Sequence, residues 1–507
     1  MRVFVFGIGG TGSRVLRSLT MLLASGVKLK EDVTIVPVII DTDARNGDTA
    51  RTCNLLRSYN AIRKHFVNKG VSSQSDSFFN THIQGFKNVD NDIDAADIDI
   101  QFNFQNQDDT FADFINFRGI TDEINREALK LFYSDSITEQ KKELELNLSV
   151  GFKGNPSIGS VVFNDLKESQ QFKDLTAKFN ENDRIFIISS IFGGTGSSGF
   201  PTLVKLIRNS SNPQLQKAII GAITVMPYFN IKPKDGSAIN SAVFDTKTKS
   251  ALSFYAKDED LKKVNALYYI ADSKMSGEGF ENNEGAEEQL NPGHIVEFLS
   301  ATSVIDFINK KKEDLKLNGD EGKCYEFGAD GDNNDGEGRN PYGIKDFSDD
   351  TKKQYIIPLV RFAYAAKIAT DFIPDLVKKN ILYDQKENDF GVPAEYRKLK
   401  DFFEEFKKWS GKEMSSELHG RKFNSFDFNE ANEHLNNIVH GKEIKTNTLG
   451  RTFGLGGKIG LPKAYVSDNL LIKKFESKKD IGRMPERYLT SLYETSKECF
   501  NKLEALP

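Results

Sequence analysis

Short runs rich in Val, Ile, Phe and Tyr alternate with longer amphipathic stretches from the N-terminus to about residue 275. Strands are predicted at Val3–Phe6, Val33–Ile40, Arg184–Ser190, Ala218–Met226 and Ala266–Ile270. Apolar runs of this length suit strands buried on both faces of a parallel sheet. Helices are predicted between them at Ser13–Ala24, Ser160–Phe179, Ser198–Arg208 and Ser241–Tyr255. Strand and helix in alternation imply an α/β fold, a Rossmann-like, mostly parallel sheet wrapped by helices.

Two regions break the alternation. Residues of about 45–145 include the acidic, Asn-rich stretch Asn88-Val-Asp-Asn-Asp-Ile-Asp-Ala-Ala-Asp97 and are expected to form a large insertion. Gly319 to about Gly343 is rich in Gly, Asp and Asn and is expected to be a loop. Beyond it the pattern is largely helical, at Lys352–Lys379, Ala394–Trp409, Asn429–His440 and Glu486–Ala505, with Gly450–Gly460 expected as a hairpin or tight loop. The last helix puts Leu489, Leu492, Tyr493, Ser496, Phe500 and Leu503 on one face, so it is expected to pack on the body. The chain thus divides into an α/β domain over residues 1–290, a linking core helix and acidic loop over 291–320, and a mostly helical domain over 321–507.

A length of 507 residues makes two or three domains the natural expectation. With 38% hydrophobic and 28% charged residues and no apolar run long enough to span a bilayer, a soluble globular protein is expected. The first residues run straight into a glycine turn, unlike a signal peptide. Cys53, Cys324 and Cys499 lack metal-ligand spacing and are odd in number, which points to a reducing cytoplasm. A net charge of −5 without a basic block gives no nucleic-acid or membrane signal.

The candidate chemistry lies in glycine loops. Phe6-Gly7-Ile8-Gly9-Gly10-Thr11-Gly12-Ser13 follows a strand and opens a helix, so backbone N–H groups and the helix dipole face an anion without Cβ interference. Alone it spells the dinucleotide fingerprint, and Asp41-Thr42-Asp43 ends the second strand where such folds keep a ribose-binding acid. Those two pieces fit an NAD-binding enzyme, or an adenylating enzyme of the ubiquitin-activating kind. A second loop, Phe192-Gly193-Gly194-Thr195-Gly196-Ser197-Ser198-Gly199, again follows a strand and opens a helix. One dinucleotide has no use for it. A polyphosphate wrapped from two sides does, with the Thr and Ser hydroxyls as added donors.

Gly-Gly-Thr-Gly-Ser-x-Gly in this loop is similar to the signature of the tubulin/FtsZ superfamily, and other pieces fall in that family's order. Asp41-Thr42-Asp43-Ala44 resembles its Asn-Thr-Asp-Ala. Gly151-Phe-Lys-Gly154-Asn155-Pro156-Ser-Ile-Gly159 resembles its γ-phosphate-sensing loop, and Leu299-Ser300-Ala301-Thr302 followed by Leu317-Asn318-Gly319-Asp320 resembles a tubulin pair. The resemblance covers roughly residues 1–320. It implies a GTPase domain of tubulin/FtsZ type followed by a long core helix and a divergent, largely helical C-terminal region.

The resemblance also implies GTP/GDP and Mg2+ as cofactors. Gly9, Gly10, Thr11, Gly12, Asp41, Asp43, Gly154, Asn155, Gly193, Gly194, Thr195, Gly196 and Ser197 would bind the nucleotide, with Asp43 also at the metal. After Tyr269-Ile270-Ala271 the family has an Asn on guanine. Here Asp272 would accept from guanine N1–H and N2–H2, which adenine cannot offer. His294 is a second candidate base contact, and the family's stacking ring is missing from the helix that follows.

In the family, hydrolysis is completed when the next subunit of a head-to-tail filament inserts acidic residues over the γ-phosphate. Here Asp320 and Glu321 would be those carboxylates. Lys323 stands where the family has a further acid, which leaves Asp346, Asp349 or Asp350 as replacements. A nucleotide-gated interaction protein with little turnover, recruiting other protein partners, is the alternative. Asp330-Gly-Asp332-Asn-Asn334-Asp335-Gly336 resembles a calcium loop, but its glycine falls one position late.

Overall fold

A computed structural model of the chain describes residues 1–43, 45–86, 101–102, 109–133, 143–152, 154–232, 244–272, 281, 287–327, 346–372, 394–414, 416–418, 421–423, 426–428, 435, 438–439, 461 and 463–503. The acidic stretch Asn88–Asp97, the calcium-like loop and Gly450–Gly460 lie outside them.

The strands of the main sheet are β1 (Arg2–Ile8), β2 (Thr34–Ile40), β3 (His82–Ile83), β4 (Gln101–Phe102), β5 (Arg184–Ser190), β6 (Ile219–Val225), β7 (Ala266–Ile270) and β8 (Lys323–Phe327). They form one eight-stranded sheet in the order β3-β2-β1-β5-β6-β7-β8, with β4 also on β2, and every pairing is parallel. All seven residues of β5 are buried, and β1, β2 and β6 are buried after their first residue. Their Val/Ile/Phe content follows from helices covering both faces. The principal helices are α1 (Gly9–Ala24), α2 (Gly47–Phe66), α3 (Pro156–Phe163), α4 (Gly194–Arg208), α5 (Phe244–Tyr255), α6 (Ile295–Asn309), α7 (Ile357–Lys367), α8 (Ala394–Lys408) and α9 (Met484–Leu503). Helix α6 is apolar on nearly every face and lies buried against α1 and the sheet.

The structure differs from the predicted elements at several places. The region from residue 45 opens as a regular helix, α2, capped by the Asn46 side chain on Thr49 N–H. Part of the expected loop Gly319–Gly343 is a strand: β8 pairs with β7 from Ala266↔Lys323 to Ile270↔Phe327. At the end of the predicted helix Asn429–His440, Val439 instead bridges to Phe426.

The C-terminal helices are fastened by aromatic edges to α2 and to the segment after it. Phe66 meets Tyr396 at 5.2 Å, Phe79 meets Phe402 at 5.1 Å and Phe78 meets Tyr493 at 4.9 Å. Leu489, Leu492, Tyr493 and Ser496 of α9 are buried, as its apolar face predicts. No helix among the described residues is long and apolar enough to cross a membrane.

Candidate functional site

A doubly wound sheet leaves a crevice at the carboxyl ends of its strands, where the chain reverses direction around β1. One cleft occupies that position. Its walls include Gly9, Gly10 and Thr11 after β1, Asp41 and Asp43 after β2, Gly151, Phe152 and Gly154, and Gly193, Gly194, Thr195 and Gly196 after β5. Both glycine loops therefore face one space. Gly9, at φ +70°, comes so near the second loop that a Cβ on it would lie 3.3 Å from the Thr195 Cβ. A Cβ on Gly194 would lie 3.0 Å from the backbone nitrogens of both Gly154 and Asn155.

The helix ends differ in a way that suits an anion. At α1 the N-cap is Ile8 and at α4 it is Gly193, and neither supplies a side-chain capping bond. Their first-turn N–H groups are left to the cleft, with both dipoles pointing there. Helix α3 is closed instead by its own cap: Asn155 Oδ1 accepts from Ser157 and Ile158 N–H, and its Nδ2 donates to Glu143. The Asn155 side chain is thus engaged away from the cleft wall.

Other predicted residues fall behind or away from the wall. Gly12 packs against Gly7, and Ser197 Oγ bonds back to the Gly193 carbonyl. Asp272 is buried just past β7, on the same rim but not lining the cleft. Asp320 stands in a tight turn between α6 and β8, where Asn318 and Glu321 exchange backbone hydrogen bonds. Because β8 begins opposite the first residue of β7, this turn is at the amino-end rim of the sheet, about 20 Å of strand from the cleft. Glu321 borders a more apolar cavity beside Tyr255, Tyr269 and Cys324.

His294 is the N-cap of α6, its Nδ1 accepting from Val296 N–H while Glu297 accepts from His294 N–H. His294 is not among the residues that line the cleft, and its ring serves as the cap of α6. Burial, then the charge of Arg14, push its pKa down to about 3. The unfolded ring titrates near 6.5, so the folded state holds fewer protons between those values. Its contribution is complete above pH 6.5 and is lost as pH falls toward 3. His294→Asn, which keeps a capping acceptor, is expected to flatten the urea stability curve between pH 6.5 and 4.5 by up to about 1.4 kcal/mol per unit. Identical slopes for both proteins would count against this role.

Several cleft residues escaped the motif reading. Arg14, one turn into α1, lines the cleft and is 3% exposed. It donates to Glu297 at 2.6 Å, Asp48 at 2.9 Å and the Tyr228 hydroxyl at 2.8 Å. Burial alone would lower its pKa, but these groups hold it well above the ordinary value, so the guanidinium is a permanent charge. Asn46, Gln289 and Asn291 bring amides to the same wall, and Phe192, Phe229 and Phe244 give it an aromatic side. Phe192 follows β5, Phe229 follows β6 and Phe244 opens α5. Of these, Phe192 heads the second glycine motif and the others belong to none.

Asp41 is 3% exposed, and its carboxyl is pushed up to about 7, first by burial and further by the charge of Asp43, against hydrogen bonds from the Asp43 and Thr42 backbone. A carboxyl so placed gains from a cation. Two carboxylates beside the glycine loops are a donor set that suits Mg2+, which takes one or two protein carboxylates.

Residues 138–243 match the family model described as "Tubulin like". No curated protein matches the chain. Among solved structures, a GTPγS-bound protofilament of CetZ2 from Haloferax volcanii is similar at 12% identity and a TM-score of 0.28, covering 61% of this chain and 58% of that one. CetZ from Methanosaeta thermophila strain DSM 6194 is similar at 14% identity and 0.26, covering 61% and 51%. The matches thus span a little over half the length of those chains.

Proposed function

We propose that this chain, a divergent tubulin-like protein of the tubulin/FtsZ superfamily, binds GTP in the cleft and hydrolyses it to GDP and phosphate when copies associate head to tail. The observation that carries the proposal is the convergence of two uncapped helix N-termini, α1 and α4, on one cleft floored by touching glycine loops. The polyphosphate lies between Gly9–Gly12 and Gly193–Ser197, with Gly154 and Asn155 at its far end through their backbone. Asp43, with Asp41, would hold Mg2+, which would supply positive charge to offset that of the phosphates. Guanine is directed toward Asp272.

Asp320 and Glu321 stand at the opposite rim from the cleft, so a catalytic part for them requires a second copy. Such a contact joins unlike surfaces and repeats without closing, as filaments require. The turn leads into β8 and Lys323, where the family carries a helix with another acid. That departure favours the second reading, a nucleotide-gated interaction protein with slow turnover, in which other proteins are recruited by the nucleotide-bound form.

The first test is nucleotide identification in the purified protein, with GTP-dependent pelleting and electron microscopy beside it. GTP is expected to bind and to be displaced by neither ATP nor NAD. In the same assay Asp320→Ala is expected to bind GTP normally while hydrolysing it at least about a hundredfold more slowly at assembling concentrations. An unchanged rate would remove Asp320 from the mechanism, and NAD outcompeting GTP would remove the nucleotide assignment.

A further inference from the structure

We propose that Glu413, in the C-terminal region, is a positioning residue for the nucleotide cleft, holding the wall segment 289–295 in its binding conformation. The inference rests on the nucleotide-binding reading above and gives the C-terminal third a part in it.

Glu413 closes a wide π-helical turn, Trp409–Glu413, at the end of α8. Its Oε2 accepts from Arg17 at 2.6 Å and from the backbone N–H of Gly293 at 2.9 Å, and its Oε1 is 3.7 Å from Arg51. Burial would raise this carboxyl, but the charge and hydrogen bond of Arg17, then Arg51, hold it below the usual carboxylate range. Three residues further on, Ser416 Oγ accepts from Ile295 N–H at 3.0 Å. Trp409 closes the contact: a Cβ on Gly293 would lie 3.0 Å from its ring.

Gly293 and Ile295 end the segment whose earlier residues, Gln289 and Asn291, line the cleft. The back of that segment is fixed by the same network. Arg51 donates to the Asn291 carbonyl at 2.6 Å and to Asp48 at 2.8 Å, and Asp48 accepts from Asn291 N–H at 3.1 Å. Asp48 in turn pairs with Arg14, which lines the cleft. A ligand touching Asn291 or Arg14 therefore meets groups whose positions depend on a carboxylate from the C-terminal region. A buried charge tolerates little displacement from its partners, so the contact has two discrete states, made or broken. Nucleotide and the Glu413 contact then stabilise each other reciprocally.

The test uses the full chain and a fluorescent GTP analogue. Glu413→Gln is expected to weaken binding on the order of tenfold, and Ser416→Ala about fivefold. Lys408→Ala, which removes a half-exposed cation 3.9 Å from Glu413, is expected to bind as the unaltered protein does. GTP is expected to slow hydrogen exchange at the amides of Gly293 and Met414 in the unaltered protein, and to lose that effect in Glu413→Gln. Unaltered affinity in Glu413→Gln with only a lower melting temperature would show a structural role and overturn the proposal. Should that variant not fold, unaltered affinity in Ser416→Ala overturns it. Failure of the unaltered protein to bind any nucleotide overturns the nucleotide-binding reading and this proposal together, whereas normal binding with unaffected variants overturns this one alone.

Discussion

Arg14→Met is expected to destabilise the folded chain by about 3–5 kcal/mol, read as a shift in the urea midpoint. The guanidinium bridges Glu297, 1% exposed, and Asp48, fully buried. Asp48 keeps Arg51 at 2.8 Å and the Asn291 N–H at 3.1 Å, so it loses the smaller share of its partners. Glu297 keeps the Tyr228 hydroxyl at 2.6 Å and the His294 N–H at 3.1 Å, which are weaker neutral donors. The larger part of the loss therefore belongs to Glu297. The double substitution Arg14→Met with Glu297→Gln is accordingly expected to recover more than 1 kcal/mol of it. Additive effects of the two single changes would mean that the pair does not act as a unit. Because Arg14 also faces the cleft, the single variant is expected to lose nucleotide affinity as well.

Gly196→Val is expected to abolish nucleotide binding and to cost about 3 kcal/mol. A Cβ at this position would lie 2.6 Å from the Ser190 carbonyl oxygen and 2.8 Å from its nitrogen. Those atoms belong to the end of β5, whose whole length is paired and buried, so the strand cannot give way. Helix α4 must lift instead, carrying Thr195 and the free N–H groups out of register with Gly9. A variant that melts like the unaltered protein and still binds GTP would remove the close approach of α4 to β5 from the account of the site.

Much of the sheet was legible because burial on both faces writes strands as uninterrupted apolar runs. Arg184–Ser190 and Ala266–Ile270 are observed with the predicted ends, and the others differ by a few residues. The glycine loops were read as preceding their helices, but Gly9–Gly12 and Gly194–Gly196 lie inside the first turns of α1 and α4. Glycine's poor intrinsic helix preference hid this, and close packing of those turns on the sheet outweighs it. The predicted helix Ser160–Phe179 is broken into α3, a 3-10 turn at Asn164–Glu168 and a new helix at Gln170–Lys178. Ser169 starts the last piece by accepting from Phe172 N–H, a local device that a periodicity count passes over. Strand β8 is short, exposed along much of its length and embedded in Gly/Asp-rich sequence, so nothing apolar announces it. The order of loops along the chain agrees with the one cleft that Gly9–Thr11 and Gly193–Gly196 line together. It could not locate Arg14, Gln289 or Glu413, because their placement depends on contacts between residues hundreds of positions apart.

The outer margin of β2 is covered in two pieces. Strand β3 pairs with Thr34 and Ile35, and β4 with Ile39 and Ile40, both strands coming from the interrupting region. Asp41 follows directly, so the acidic lip is anchored on its far side by a segment that looks dispensable in the linear pattern. Removing that segment would strip four residues of β2 of their partners and leave an open ladder beside the cleft, a surface on which foreign strands add readily. What interrupts the alternating fold thus serves as its selvedge.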